Sequence, residues 1–178
     1  MQLSPMLRSA KVQRWMAILA LVVLAALLGK RDPMHSPPLG SPGATIKGRV
    51  NLVDGDSFFL SGREVRLKGI DAPEGRQSCW KEGKEWACGQ ASLEELRYII
   101  GGRDVTCTAV DVDRHGRELA YCRAGEKSLN REMVASGMAV SYGDFVKEEL
   151  AARIARRGLW NSRFEKPRDW RKRNRVGI

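Results

Sequence analysis

Residues 53–74, with the sequence VDGDSFFLSGREVRLKGIDAPE, decide how this chain folds. β-Branched and other apolar residues lie on both sides of Ser61-Gly62, a pair typical of a tight turn. This pattern predicts a hairpin with strands over residues 57–60 and 64–68. Acidic side chains and one arginine are thereby placed on neighbouring extended segments.

Those polar side chains have the chemistry needed to cleave a phosphodiester. Asp56 and Asp71 each lie at the end of a strand-like segment, and carboxylates are preferred ligands of Ca²⁺. Arg66, before Asp71, and Arg117, after the next turn, can each bind two phosphate oxygens. Glu74 is placed to accept a proton from an attacking water. Each residue alone is more often a turn former or a surface ion pair, but together they predict a metal-dependent nuclease.

The rest of the chain from residue 44 alternates between short strands and helices. About five strands and three helices predict an α+β fold, a small antiparallel barrel with helices packed outside, because closing a sheet removes its edges. The helix predicted over residues 145–157 carries Val146, Leu150 and Ile154 on one face. The further strands are predicted over residues 45–53, 104–112, 117–123 and 139–142, and the other helices over residues 90–100 and 128–137.

The two ends of the chain differ from this region in composition. Residues 1–31 carry an apolar run flanked by basic residues, which predicts a signal anchor, with a cleaved signal peptide as the alternative. Residues 32–43 are rich in proline and glycine and predict a linker. Residues 44–165 then form the folded domain. Residues 166–178 form a basic tail that we expect to be solvated and disordered, with contact to backbone phosphates as the alternative. The net charge of +10 favours a polyanionic partner.

Four segments in order resemble the staphylococcal nuclease (thermonuclease) family, from about residue 46 to Trp160. The resemblance implies an OB-fold barrel, five-stranded and antiparallel, with one Ca²⁺ at its rim. It also implies cleavage of DNA and RNA with little sequence preference, single strands being favoured. The matching segments are Val-Asp-Gly-Asp at 53–56, Val-Arg-Leu-x-Gly-Ile-Asp-Ala-Pro-Glu at 65–74, His-Gly-Arg-x-Leu-Ala-Tyr at 115–121 and Gly-Leu-Trp at 158–160.

The resemblance assigns roles position by position. Asp56 and Asp71 are similar to the family's metal carboxylates, and Ala72, where threonine is frequent, would supply a backbone carbonyl. Glu74 resembles the residue that activates or orients the attacking water. The two phosphate-binding arginines of the family correspond to Arg66 and Arg117. His115 departs from the pattern, because a tyrosine often precedes that Gly-Arg, so base stacking or a 5′-phosphate contact at this position is in doubt.

Four cysteines allow three pairings, with free thiols as the alternative. In the hairpin around residues 113–116, Cys107 is expected opposite Cys122, with a Cα separation of roughly 4.5–5.5 Å. The register makes this a hydrogen-bonded pair, the less favourable type for a disulfide, unless a bulge relaxes it. Cys79 and Cys88 would then close the loop between Glu74 and the first helix. Two disulfides agree with export to an oxidising compartment.

Three functions remain open from the sequence. The first is a calcium-dependent nuclease acting on DNA and RNA, and we expect a monomer tethered to the membrane by its N-terminal apolar segment. Its domain would face the periplasm or the cell exterior, or be secreted after signal cleavage. The second is a catalytically silent OB-fold module that binds nucleic acid, and the third is a membrane-tethered interaction domain. The presence of Arg66, Glu74 and Arg117 together favours the first.

Overall fold

Eleven strands and four α-helices make up residues 42–175, which are the residues that the computed structural model describes. The predicted hairpin is present and lies within the main sheet. The strands are β1 (Thr45–Gly48), β2 (Val50–Leu52), β3 (Ser57–Leu60), β4 (Arg63–Leu67), β5 (Ile70–Asp71), β6 (Cys79–Lys81), β7 (Lys84–Trp86), β8 (Val105–Val112), β9 (Glu118–Ala124), β10 (Lys127–Ser128) and β11 (Val140–Ser141).

The main sheet is nearly closed into a barrel. Its seven strands run in the order β1-β8-β9-β4-β3-β2, and β10 pairs with β9. The two outer strands, β1 and β2, are separated in sequence only by Arg49, so the sheet curls back on itself. The α+β barrel is thus confirmed, with two differences from the sequence prediction: the sheet has seven strands, and β4 pairs with β9 in parallel.

Side-chain alternation along β4 divides the core from the functional face. Val65 and Leu67 are buried, and Arg66 between them is turned to the other side of the strand. Phe58 and Leu60 of β3 are fully buried in the same core. The hairpin therefore anchors the core with one set of side chains and supplies a site residue with the other.

The helices pack around this barrel, with bounds close to those predicted for the first three. Ser128 caps the second helix by accepting a hydrogen bond from the backbone N–H of Arg131. The buried Asn130 ties that helix to the sheet, since it donates to the carbonyls of Lys68 and Ala120. The helices are α1 (Cys88–Ile100), α2 (Leu129–Ala135), α3 (Val146–Ile154) and α4 (Pro167–Asn174).

The apolar face predicted for α3 is exposed to solvent. The relative exposures of Val146, Leu150 and Ile154 are 62%, 58% and 77%. The helix instead buries Ala152, because its small side chain allows close approach of the neighbouring structure. Arg153 stacks over the ring of Trp160, 4.2 Å from its centroid.

The prediction of a disordered tail from residue 166 onward is wrong for residues 167–174, which form α4. Pro167 stands at the start of this helix, where its fixed φ and missing N–H cost nothing. The predicted signal anchor and most of the linker lie outside the described residues. Within residues 42–175, none of the helices has both the length and the apolar character needed to cross a bilayer.

Both predicted disulfides are present, Cys79–Cys88 and Cys107–Cys122. Cys107 lies opposite Cys122 as predicted, but the pair is not hydrogen-bonded: the backbone N–H of Cys122 donates to the side chain of Asn130. The Cα separation of 4.1 Å is accordingly shorter than expected. A bulge between Ala109 and Asp111 shifts the register and explains the difference.

Candidate active site

The Asp54-Gly55-Asp56 turn places the first predicted metal carboxylate. Asp54 Oδ1 accepts hydrogen bonds from the N–H of Asp56 at 3.0 Å and from the hydroxyl of Ser57 at 2.7 Å. Gly55 packs directly on α1, since a Cβ there would lie 2.0 Å from Ser92 Oγ. The turn is therefore fixed from both sides, and Asp56 is held beneath the surface with 1% exposure.

Asp56 and Asp71, the two predicted metal carboxylates, both contact the side chain of Arg66. Its Nη2 atom lies 2.9 Å from Asp56 Oδ2 and 2.7 Å from Asp71 Oδ1. The N–H of Ala72 donates to Asp56 Oδ2 at 2.8 Å, which places Ala72 beside the same carboxylate. The two carboxylates predicted to bind metal therefore converge on a single point about one hydrogen-bond length from each.

The electrostatics of this cluster favour a cation. Burial raises the pKa of Asp56 well above its ordinary value, and the charges of Asp54 and Asp71 raise it further, against the opposing effect of Arg66. Burial alone would lower the pKa of Arg66, but Asp56 and Asp71 raise it, so the guanidinium stays charged. Asp56 and Asp71 can therefore both be ionised only when a positive charge lies between them.

The donor set suits a hard cation with few protein ligands. Two carboxylates already converge on one cationic atom of Arg66, and Ca²⁺ accepts carboxylate and carbonyl oxygens together with waters. No group of three or more His, Cys, Asp or Glu side chains in residues 42–175 is arranged to hold a metal. The residues present therefore fit Ca²⁺ only if waters or substrate complete its coordination.

Arg117 lies on a different turn from the Arg66 cluster and has a carboxylate partner of its own. The turn at residues 113–117 wraps around Asp113, whose Oδ1 accepts from the N–H groups of His115 and Arg117. Asp113 Oδ2 accepts from Arg117 Nε at 2.9 Å and lies 2.7 Å from its Nη2. Gly116 has φ +82°, which favours glycine at this position of the turn. His115 is exposed and accepts a hydrogen bond from Arg114.

One cavity of 720 Å³ joins these groups. Arg66, Asp71, Glu74 and Arg117 all line it, so the structure brings four of the predicted site residues to one cleft, while Asp56 lies buried behind Arg66. Within the described part of the chain, five further basic residues line the cavity, together with the carboxylates of Asp54, Glu64 and Asp113. The basic residues are Lys68, Arg114, Arg168, Arg171 and Lys172.

The sequence interpretation treated Arg171 only as part of the basic tail and did not place it in the site. Its Nη2 lies 2.9 Å from Asp71 Oδ1, and its Nη1 lies 2.8 Å from Glu74 Oε1. The available signal was Pro167, which is common at the first position of a helix. The strongly basic composition of residues 166–178 pointed instead to a solvated tail.

Comparisons with known proteins point to one family. The model of the family described as "Staphylococcal nuclease homologue" matches residues 64–162. The chain is 32% identical to the succinoglycan biosynthesis protein ExoI of Rhizobium meliloti (strain 1021), over 80% of this chain and 75% of that protein. It is also 32% identical to an uncharacterized endonuclease of Escherichia coli O157:H7, over 66% of this chain and 79% of that protein.

A plant protein gives a further similarity. The probable staphylococcal-like nuclease CAN2 of Oryza sativa subsp. japonica is 32% identical, over 67% of this chain but only 32% of its own length. The stretch matched by the family model contains Arg66, Asp71, Glu74 and Arg117, and it ends before α4 begins.

Proposed function

Because the chain belongs to the staphylococcal nuclease family, we propose that it is a calcium-dependent nuclease that hydrolyses phosphodiester bonds of DNA and RNA. The observation that carries this proposal is the convergence of Asp56 and Asp71 on one cationic atom of Arg66, at 2.9 and 2.7 Å. Glu74 and Arg117 line the cavity beside that point. A site of this composition can hold a cation, a phosphate and a proton acceptor at once.

In the proposed reaction Asp56 and Asp71 would hold the cation, with the carbonyl of Ala72. Bound Ca²⁺ would supply Lewis-acid polarisation of the phosphoryl group. Arg66 and Arg117 donate hydrogen bonds to the non-bridging oxygens, where negative charge grows in the transition state. Glu74 accepts the proton of the water that attacks phosphorus. As the new bond forms, the bond from phosphorus to the leaving oxygen breaks, and that oxygen takes a proton from solvent water.

The proposed substrate is nucleic acid, which the enzyme cleaves with little sequence preference and fastest as single strands. Lys68, Arg114, Arg168 and Lys172 line the cavity with guanidinium and ammonium groups, which bind the phosphate backbone regardless of base. At 720 Å³ the cavity accommodates a few nucleotides of one strand. A separated strand can lie in such a cleft more easily than a duplex, whose phosphates lie on the outside of a wide cylinder.

We further propose that the domain works outside the cytoplasm, as a monomer tethered by the apolar segment in residues 1–31. Support for this comes from the cysteines: all four are paired in disulfides, which persist in oxidising compartments. Secretion after cleavage of that segment is the alternative.

The test is incubation of the protein with labelled single- and double-stranded DNA and RNA, in Ca²⁺ or in excess chelator. We expect cleavage of all of these in Ca²⁺, fastest for single strands, and none in chelator. Full cleavage in chelator would contradict the calcium assignment. Tight binding of the strands without cleavage in either condition would favour a silent nucleic-acid-binding module.

A further inference from the structure

The C-terminal helix α4 reaches into the site through Arg171. This guanidinium bridges two carboxylates, with 2.9 Å to Asp71 Oδ1 and 2.8 Å to Glu74 Oε1, and its side chain is only 25% exposed. Asp71 and Glu74 belong to one short segment, and the proline at position 73 lies between them. Arg171 therefore connects the proposed metal carboxylate with the proposed proton acceptor.

A buried amide fixes the start of α4 against the turn that carries Glu74. Gln77 is 1% exposed, and its backbone N–H donates to the carbonyl of Glu74 at 2.7 Å. The Gln77 side chain accepts from the N–H of Glu74 at 3.3 Å and donates to the carbonyl of Glu165 at 2.7 Å. Glu165 lies two residues before Pro167, the first residue of α4, so the position of the helix is coupled directly to the backbone of Glu74.

A second attachment holds the approach to α4. The backbone of Arg163 exchanges two hydrogen bonds with that of Trp80 in β6, at 2.9 and 2.8 Å. The strand β6 is itself linked to α1 by the Cys79–Cys88 disulfide. With two attachments upstream, α4 can hold Arg171 at a fixed depth in the cavity.

From these contacts we infer that Arg171 is a positioning residue for catalysis, which holds the Glu74 carboxylate in register with Asp71. The inference rests on the proposed function. A glutamate side chain has three rotatable bonds, and fixing one of its oxygens restricts the position of the other, which is left to accept the proton. The planar guanidinium can bond both carboxylates at once, which a lysine ammonium does less well.

The experiment is a double-mutant cycle in the full-length chain, with a fluorogenic single-stranded oligonucleotide and Ca²⁺. Arg171→Ala should lower kcat by about 10–100-fold, the usual loss when a residue that orients a functional ligand is removed, and should leave KM within about threefold. In a Glu74→Ala background the same change should cost almost nothing more, because Arg171 acts through Glu74. Arg171→Lys should remain at least about tenfold below the wild type.

Arg173→Ala is the matched control, since Arg173 lies on the same helix and pairs with Glu165 at the surface. It should keep the wild-type kcat, and both Arg171 variants should melt cooperatively. If Arg171→Ala fails to fold, Arg171→Lys, which keeps the charge, decides the matter through its kcat. Wild-type kcat in Arg171→Lys would then contradict the inference.

Two further results would overturn the positioning role. A rise in KM alone would make Arg171 a simple substrate contact, and equal losses with and without Glu74 would make its effect independent of Glu74. Failure of the proposed function is distinguishable, because then the wild-type chain would not cleave, or Glu74→Ala would cleave at the wild-type rate.

Discussion

The two arginines proposed to bind phosphate are held by carboxylates of different kinds. Arg66 lies between the proposed metal ligands Asp56 and Asp71, whereas Arg117 is paired with Asp113 of its own turn. The pairing with Asp113 orients the Arg117 guanidinium before substrate arrives, so little reorganisation is needed there in the transition state. Arg66, by contrast, has to turn from the carboxylates towards the phosphate when a cation takes the position between Asp56 and Asp71. A lysine at either position would lose the fork that makes two bonds at once.

We therefore expect Arg117→Ala and Arg117→Lys both to reduce kcat by about 100–1,000-fold, the scale of losing a donor to a developing oxyanion. The measurement is steady-state cleavage of a labelled oligonucleotide in Ca²⁺. Arg97→Lys is the control, because Arg97 pairs with Glu94 on the exposed face of α1. Near-wild-type turnover by Arg117→Lys would contradict the bidentate role.

The Asp113 carboxyl makes the stability of this protein depend on pH. Burial acts to raise its pKa, but hydrogen bonds from Arg117 and from the backbone N–H groups of Arg117 and His115 outweigh that effect and lower it. A pKa lower in the folded than in the unfolded state stabilises the fold above about pH 4 and ceases to do so as the pH falls through the folded-state pKa.

Asp113→Asn should accordingly be less stable than the wild type at pH 7 and should lose less stability between pH 7 and pH 3. The asparagine is isosteric and its oxygen can still accept the backbone hydrogen bonds, so the difference reports on the charge and on the bonds from Arg117 to Oδ2. Urea unfolding at several pH values measures it. If the free energies of unfolding of the two proteins changed in parallel with pH, the Asp113–Arg117 ion pair would contribute nothing to stability.

At the scale of elements, the turn that carries Glu74 depends on close contact with the first turn of α1. A Cβ on Gly89 would lie 1.8 Å from the carbonyl oxygen of Glu74, whereas one on Gly75 would meet only Gln90 Nε2, at 3.7 Å. The backbone N–H of Gly89 also donates to the carbonyl of Gln77. Position 89 therefore tolerates no side chain unless the Glu74 turn moves.

Gly89→Ala should lower kcat by at least about tenfold, because a displacement of about 1 Å at a reacting group can cost 100-fold. Gly75→Ala, in the same turn, should stay within about threefold of the wild type. Thermal melting of both variants separates loss of the fold from displacement of Glu74. Equal kcat values for the two variants would show that this contact does not position the carboxylate.

Local sequence patterns predicted the strands and helices better than they predicted which elements pair or pack with one another. The hairpin at Ser61-Gly62 and the cap at Ser128 follow from turn and cap chemistry, which is encoded within a few residues. The parallel pairing of β4 with β9 depends on distant segments, and no local pattern reports it. The exposed face of α3 shows that helical periodicity identifies a face without saying whether neighbours cover it.

The same distinction applies to the site. Asp56, Arg66, Asp71 and Glu74 lie within 19 residues of sequence and were found from one stretch of chain. Arg171 comes from a segment 97 residues beyond Glu74. A basic helix of that composition resembles a solvated tail until its contacts with Asp71 and Glu74 are known.

At the scale of the whole molecule, the disulfides and the charge support the proposals of an oxidising compartment and a polyanionic substrate. Cys79–Cys88 joins β6 to α1, and Cys107–Cys122 joins β8 to β9. In a chain-entropy description, closing a loop of 15 residues stabilises the fold by about 3 kcal/mol. The net charge of +10 favours encounter with nucleic acid.

Mass spectrometry of the native protein, alkylated without reduction, should therefore show no free thiols and two linked pairs, Cys79–Cys88 and Cys107–Cys122. After reduction the midpoint of thermal unfolding should fall, because the unfolded chain is no longer constrained. Four alkylated cysteines in protein taken directly from cells would contradict the export proposal and leave the site assignment intact.

The central claim, that Asp56 and Asp71 hold the cation on which cleavage depends, is tested most directly by isothermal titration of Ca²⁺ into the same samples used for cleavage. The wild type should bind one Ca²⁺ per chain and cleave, whereas Asp56→Asn and Asp71→Asn should lose both properties while remaining folded. Glu94→Gln, on the exposed face of α1, should behave as the wild type. Wild-type Ca²⁺ binding and cleavage by Asp71→Asn would contradict the account.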